Sequence, residues 1–233
     1  MSTPVRITSA LDTEMARNTG LTTDSFNTKR THIRDTKTLL EEFQREDHKI
    51  MANLGLSQQG QREKLKKYAI DETIKNLKWQ KKEIEDLEAK VKRLRSEFLA
   101  VDSTIKDPAE RISTFIYLWQ KLDVLDPNGR TKRFALAGEK DEVKTLAAML
   151  SHPEGEMVPQ DVKERVLFER AARLRPQDHT NLEQAELLLE FLVMIRDWIS
   201  KWLSEEIGVE PKILRDNLGA DIADVPQLAG AST

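Results

Sequence analysis

The sequence predicts an all-α protein, a long coiled-coil or helical-hairpin segment followed by a compact helical bundle domain. Three observations carry that expectation. Charged residues make up 33% of the 233-residue chain and aromatic residues 6%, a balance that suits long solvated helices. Nine Gly and eight Pro are too few for an all-β fold, which needs a turn every roughly 8–12 residues. An apolar heptad also runs from Ile70 to Ile105, the repeat of paired helices.

Residues 1–30 are rich in Ser and Thr, lack an apolar period and read as a flexible arm. From Thr31 the pattern changes. Ile33, Thr36, Leu40, Phe43, Ile50 and Leu54, with Asp47 among them, fall on one helical stripe. Gly55 and Gly60 then mark a helix–helix connection, and a second helix is expected over 61–106. Residues 31–106 thus form the hairpin or coiled-coil segment.

Residues 107–219 are expected to form the bundle domain. Asp107-Pro108-Ala109-Glu110 is a helix start, with Asp107 as cap and Pro108 in the first turn. Ile112, Phe115, Ile116, Trp119, Leu122 and Leu125 would be its core face, and Asp126-Pro127-Asn128-Gly129 its terminating turn. Further helices follow over 139–151 and 160–174. Thr180 to Glu183 reads as a capping box opening a helix to Glu206, apolar nearly all round and so the expected centre of the bundle. A last helix spans 211–218, and residues 220–233 read as a flexible tail.

The heptad seam is Ile84, Leu87, Val91, Leu94, Phe98 and Val101, continuing the series from Ile70. The flanking charges set its direction. A parallel homodimer would oppose Glu83 with Glu88, Lys90 with Arg95 and Glu97 with Asp102, all like-charged. An antiparallel pair replaces these with Lys90–Glu97, Glu88–Arg95 and Lys81–Asp102. Within one chain, the 31–54 stripe could instead fold back and set Ile50 near Ile70, Phe43 near Leu77 and Ile33 near Leu87.

Chemistry is sparse. The chain has no Cys, so thiolate metal sites, disulfides and thiol nucleophiles are excluded. His32, His48, His152 and His179 form no metal-binding spacing and read as surface or cap residues. No phosphate loop, nucleophile elbow or dinucleotide fingerprint occurs. We expect no metal, no cofactor, no catalytic residue and no enzyme activity. No membrane span or signal peptide is expected either.

Two basic clusters stand out. Arg62, Lys64, Lys66 and Lys67 lie beside the hairpin tip, where they would contact phosphates, with Tyr68 and Trp79 near enough to stack on bases. Arg165, Arg170, Arg173 and Arg175 lie on a later helix. A net charge of −3 gives nucleic acid no global support. The organisation resembles that of bacterial and viral structural or assembly proteins. The expected function is a non-enzymatic scaffold, adaptor or assembly subunit acting through coiled-coil and helix-face contacts. Its partners would be proteins, as a homo-oligomer or larger assembly, in the cytoplasm or within that assembly. The alternative is a helical nucleic-acid-associated factor using the 62–67 cluster.

Overall fold

The computed structural model describes residues 3–16, 20–102, 105–153 and 155–220, and every regular element among them is helical. The chain divides into two compact units, residues 1–90 with 184–233, and residues 91–183. Beyond Ala220, which is buried, the expected tail lies outside the described residues.

In the first unit the expected arm is corrected. Residues Thr3–Ala16 form helix α1, which packs on α2 (Thr23–Met51). Ile7, Leu11 and Met15 recur every fourth residue on one face, and Ile7 and Leu11 are fully buried. The hydroxyls that suggested disorder are absorbed locally. Thr8 Oγ1 donates to the Pro4 carbonyl at 2.9 Å and Thr13 Oγ1 to the Ser9 carbonyl at 3.1 Å. Lys37 pairs with Asp12 at 2.7 Å and Lys29 with Glu14 at 3.2 Å, tying α1 to α2. Gln184 holds the connection between them, accepting from Thr22 N at 2.7 Å and donating to the Gly20 carbonyl at 2.8 Å.

The α2 stripe buries Ile33, Thr36, Leu40, Phe43 and Ile50 as its spacing predicts. The chain then reverses earlier than expected. Ser57 caps α3 (Gln58–Tyr68) by accepting from Gly60 N at 3.1 Å, so Gly60 sits inside the first helical turn. The hairpin forms, with its register slid. Gln80 Nε2 donates to Thr36 Oγ1 at 3.4 Å, His32 stacks on Trp79 at 5.1 Å, and Phe43 meets Tyr68 at 6.0 Å. None of these is an expected pairing, because the turn is centred a few residues before Gly60 rather than on it.

Between α3 and α4 (Lys75–Leu99), residues Ala69–Ile74 form a π-helix. A π segment holds one more residue than the α turns it replaces. Running back from Leu77 at α-helical pitch, the seam would continue through Ile70, Lys66 and Arg62. The extra residue moves it by one position, so that Leu65 packs against the core and Gln61 is buried instead. Ile70, the expected first seam residue, is only half-buried, while Ala69 and Ile74 are buried.

The seam is covered by the later part of α9 (Pro176–Glu205), through Leu188, Phe191, Leu192, Ile195, Ile199, Trp202 and Leu203. Trp202 meets the Phe43 ring edge-on at 4.7 Å. Helix α10 (Pro211–Leu218) adds Leu214 and Leu218 and ends at Gly219, whose φ of 70° suits the left-handed cap. The expected bundle of residues 107–219 around the 181–206 helix is therefore corrected. A helix apolar on every side buries most area against the equally apolar hairpin, and α9 does so from Gln184 onward.

In the second unit, α5 (Pro108–Asp123) starts as expected, with Asp107 Oδ1 accepting from Ala109 N at 2.8 Å. The next Asp-Pro was expected to end that helix and instead opens another. Asp126 Oδ1 accepts from Gly129 N at 2.6 Å, starting α6 (Pro127–Glu139). Helices α7 (Val143–Leu150) and α8 (Gln160–Leu174) follow. Leu122, Phe134, Leu146, Met149 and Val158 form the main core. Helix α9 begins at Pro176, four residues before the expected cap. Thr180 Oγ1 donates to the Pro176 carbonyl at 3.1 Å, inside the helix.

The coiled-coil seam is corrected as well. Ile84 and Leu87 are buried in the first unit's own core. In the second unit Phe98 is buried with Ala171 and Leu182, and Val91 and Leu94 pack against that cluster. Val101 lies past the end of α4 and packs against the second unit's cores. A homodimer through 80–105 would have to displace these contacts.

Two stability predictions follow from this packing. Leu192→Ala should cost about 2–5 kcal/mol, because Leu192 is fully buried; urea denaturation measures it. Deleting Asp71 removes the extra residue and leaves both halves of the seam in phase, so helicity and cooperative unfolding should persist. Deleting Glu85 instead turns Leu87 by about 100° off the seam, and the unfolding midpoint should drop sharply.

Candidate interaction surfaces

The expected phosphate contacts lie along α3. Arg62, Lys64 and Lys67 are exposed, while Lys66 is half-buried and reaches Glu210 at 3.5 Å. The rings expected to stack on bases are engaged within the chain. Tyr68 packs on Phe43, and Trp79 lies parallel to His32 with an interplanar angle of 14°. Burial, followed by the carboxylates of Glu46, Glu42 and Glu72, pushes the Tyr68 hydroxyl above its ordinary pKa, with Lys49 opposing them.

The hairpin end beside this cluster is uncharged. Residues 50–61 carry no ionisable side chain, and Leu54 at the turn is 98% exposed and Met51 54%.

The histidines are less peripheral than expected. His32 and His152 are buried, with Nε2 3.3 Å from Glu83 and 3.1 Å from Asp123 respectively. His179 packs between the Phe98 and Phe168 rings and lies 3.5 Å from Glu183. His48 is exposed on α2. Among the described residues no three acidic or histidine side chains are grouped to hold a metal, and no helix is long and apolar enough to cross a membrane.

Helix α5 is turned differently from its expected face. Phe115 and Leu122 are buried, yet Ile112 is 57% and Ile116 45% exposed. At 3.6 residues per turn, Ala109, Ile112, Ser113, Ile116 and Gln120 share the outward face; none of them is charged, and Asp123 at the C-terminal end of the helix is the one charge in line with them. Tyr117 borders this face, with Lys121 Nζ over its ring at 4.3 Å. Beside the helix, Phe115, Trp119, Leu150 and Val101 wall a recess of about 530 Å³ with Arg111 and Asp102 on its lining. Trp119 is fixed there by donating from Nε1 to the Ala148 carbonyl at 2.8 Å.

The second basic cluster is largely structural. Arg175 donates to the carbonyls of Glu97, at 3.1 Å, and Phe98. Arg170 pairs with Asp141 at 2.7 Å, and Arg173 donates to the Gly138 carbonyl at 2.9 Å. Arg165 remains exposed. Nearby, hydrogen bonds from Arg133, aided by Thr145, hold the Glu142 carboxyl below its ordinary pKa despite partial burial.

No protein-family model, curated protein or solved structure matches the chain. The α5 surface was not separable from core in the sequence, because the same residue types serve both.

The raised Tyr68 pKa has a stability consequence. The folded state holds the phenolic proton more tightly than the unfolded chain. The associated stability is complete below the unfolded phenol's pKa of about 10 and drains as pH rises through the folded value. Tyr68→Phe should therefore flatten the alkaline fall of the urea midpoint relative to the parent chain.

Proposed function

We propose that the chain is a non-enzymatic assembly or adaptor subunit that joins protein partners through exposed helix faces. The observation that carries this reading is the outward face of α5. In a chain one-third charged, a helix face that presents Ile112 and Ile116 and carries no charge from Ala109 to Gln120, beside a recess walled by Phe115 and Trp119, is the composition of an interface centre. The bare tip at Met51 and Leu54 supports the same reading, since a fully exposed leucine at a helical turn gains only by being covered.

The face predicts its own test. Ile112→Glu with Ile116→Glu leaves the fold intact, because both side chains already meet water. Sedimentation velocity of the full chain over a concentration series should show association that this variant loses, and a photocrosslinking residue at Ile112 should give one discrete protein adduct in extracts of the source cells. A chain that neither associates nor crosslinks, with the variant indistinguishable, overturns the proposal.

The second reading, nucleic-acid association, rests on Arg62, Lys64 and Lys67, which are exposed and make no ion pair among the described residues. With Tyr68 and Trp79 engaged, it would be phosphate-driven and indifferent to sequence. Its signature is a steep salt dependence that disappears when these three residues become Ala.

A further inference from the structure

The charges along the edge of α5 single out a partner for its apolar face. At about 100° per residue, Ala109, Ser113, Ile116 and Gln120 lie along the middle of that face. Ile112 and Trp119 fall on one edge, toward the recess, and Glu110 and Lys121 on the other. Glu110 and Lys121 stand about three helical turns apart. Both are exposed, and neither makes an ion pair among the described residues.

A helix with opposite charges at the two ends of one edge is complementary to its own reverse. A two-fold axis passing between Phe115 and Ile116 sets Glu110 opposite Lys121 of a second copy, and by symmetry does so twice. The same register seats Ile112 between Ile116 and Trp119 of the second copy, at the recess. Asp123, 3.1 Å from His152, comes to the start of the other α5, the positive end of that helix. A parallel pair would bring unlike edges together and set Glu110 and Lys121 against Ile112 and Trp119. Charge and apolar contacts therefore both favour the antiparallel direction.

The face is also presented rigidly. Trp119 ties α5 to α7 through the Ala148 carbonyl, and α7 packs on α6. Helices α6 and α8 in turn approach so closely that a Cβ at Gly138 would overlap Val166 Cγ1. Little ordering cost is left for association to meet. We propose that α5 pairs with α5 of a second copy of this chain, antiparallel about an axis between Phe115 and Ile116. The pairing rests on the reading of α5 as an interface and names its partner. A single helix pair is smaller than a standard interface of about 800 Å² per partner, so the dimer is weak and reversible.

Sedimentation equilibrium of the full chain should show a monomer–dimer equilibrium. Lys121→Glu sets two carboxylates against each other at both ends and should raise the dissociation constant about tenfold at low salt. Adding Glu110→Lys should restore the parent value, because the exchanged charges attract again. Both residues are exposed, so circular dichroism should show the same helicity in every variant. The chain has no cysteine, which lets oxidation read the direction. Ile116→Cys lies beside the axis and should form a disulfide-linked dimer. Ala109→Cys should not, since its two copies would stand about 20 Å apart along the helices; in a parallel pair both would link. A chain that stays monomeric overturns the pairing, and a discrete adduct with another protein at Ile112 then leaves the interface reading standing. A dimer indifferent to Lys121→Glu, not rescued by the exchange, or linked through Ala109→Cys overturns it as well.

Discussion

The first unit depends on a phase correction. Its two hairpin helices must present one continuous apolar seam to α9, yet the residues before and after the π segment are out of step by one position. The π turns at Ala69–Ile74 absorb that residue and bring Leu65 and Gln61 onto the same line as Leu77, Ile84 and Leu87. Without the correction Lys66 and Arg62 would point inward, and burying unpaired charges costs far more than a weakened helical turn. The cover supplied by α9, and the seating of α10 against the π segment, both presuppose it.

Polar groups inside this seam fix which residues face each other. Thr36 and Gln80 share a hydrogen bond in the buried layer, with His32 against Trp79 one turn further along. Sliding the hairpin by a turn would strand these groups among aliphatic side chains. A purely apolar seam would tolerate such a slide; this one penalises it. Register is thus specified by a few polar atoms, and stability by the aliphatic and aromatic side chains around them.

Much of the fold is legible in the sequence, and the failures have identifiable causes. The all-helical class, the α2 stripe, the Asp107 cap and the 211–218 helix follow from spacing and cap chemistry. The π segment is hidden because Ala69 and Ile70 are both apolar, so a one-residue slip leaves the pattern looking unbroken. Helix α1 is masked by its hydroxyls, although Ile7, Leu11 and Met15 already mark a face. Asp126-Pro127 is ambiguous in principle, since the same dipeptide ends one helix and begins another. The α5 surface was beyond reach for a different reason. Ile112 and Phe115 are equally apolar, and only the packed structure decides which of them meets water.

The contact at Gly138 reaches beyond its own position. Because Val166 occupies the volume that a side chain would need, residues 138 and 166 are a single steric unit in which only the summed size is constrained. Among relatives of this protein, anything larger than glycine at 138 should accompany a smaller residue at 166. Where both are large, α6 and α8 must stand further apart. That pair of positions is therefore a readable gauge of helix spacing in any homologous chain, legible before its structure is determined.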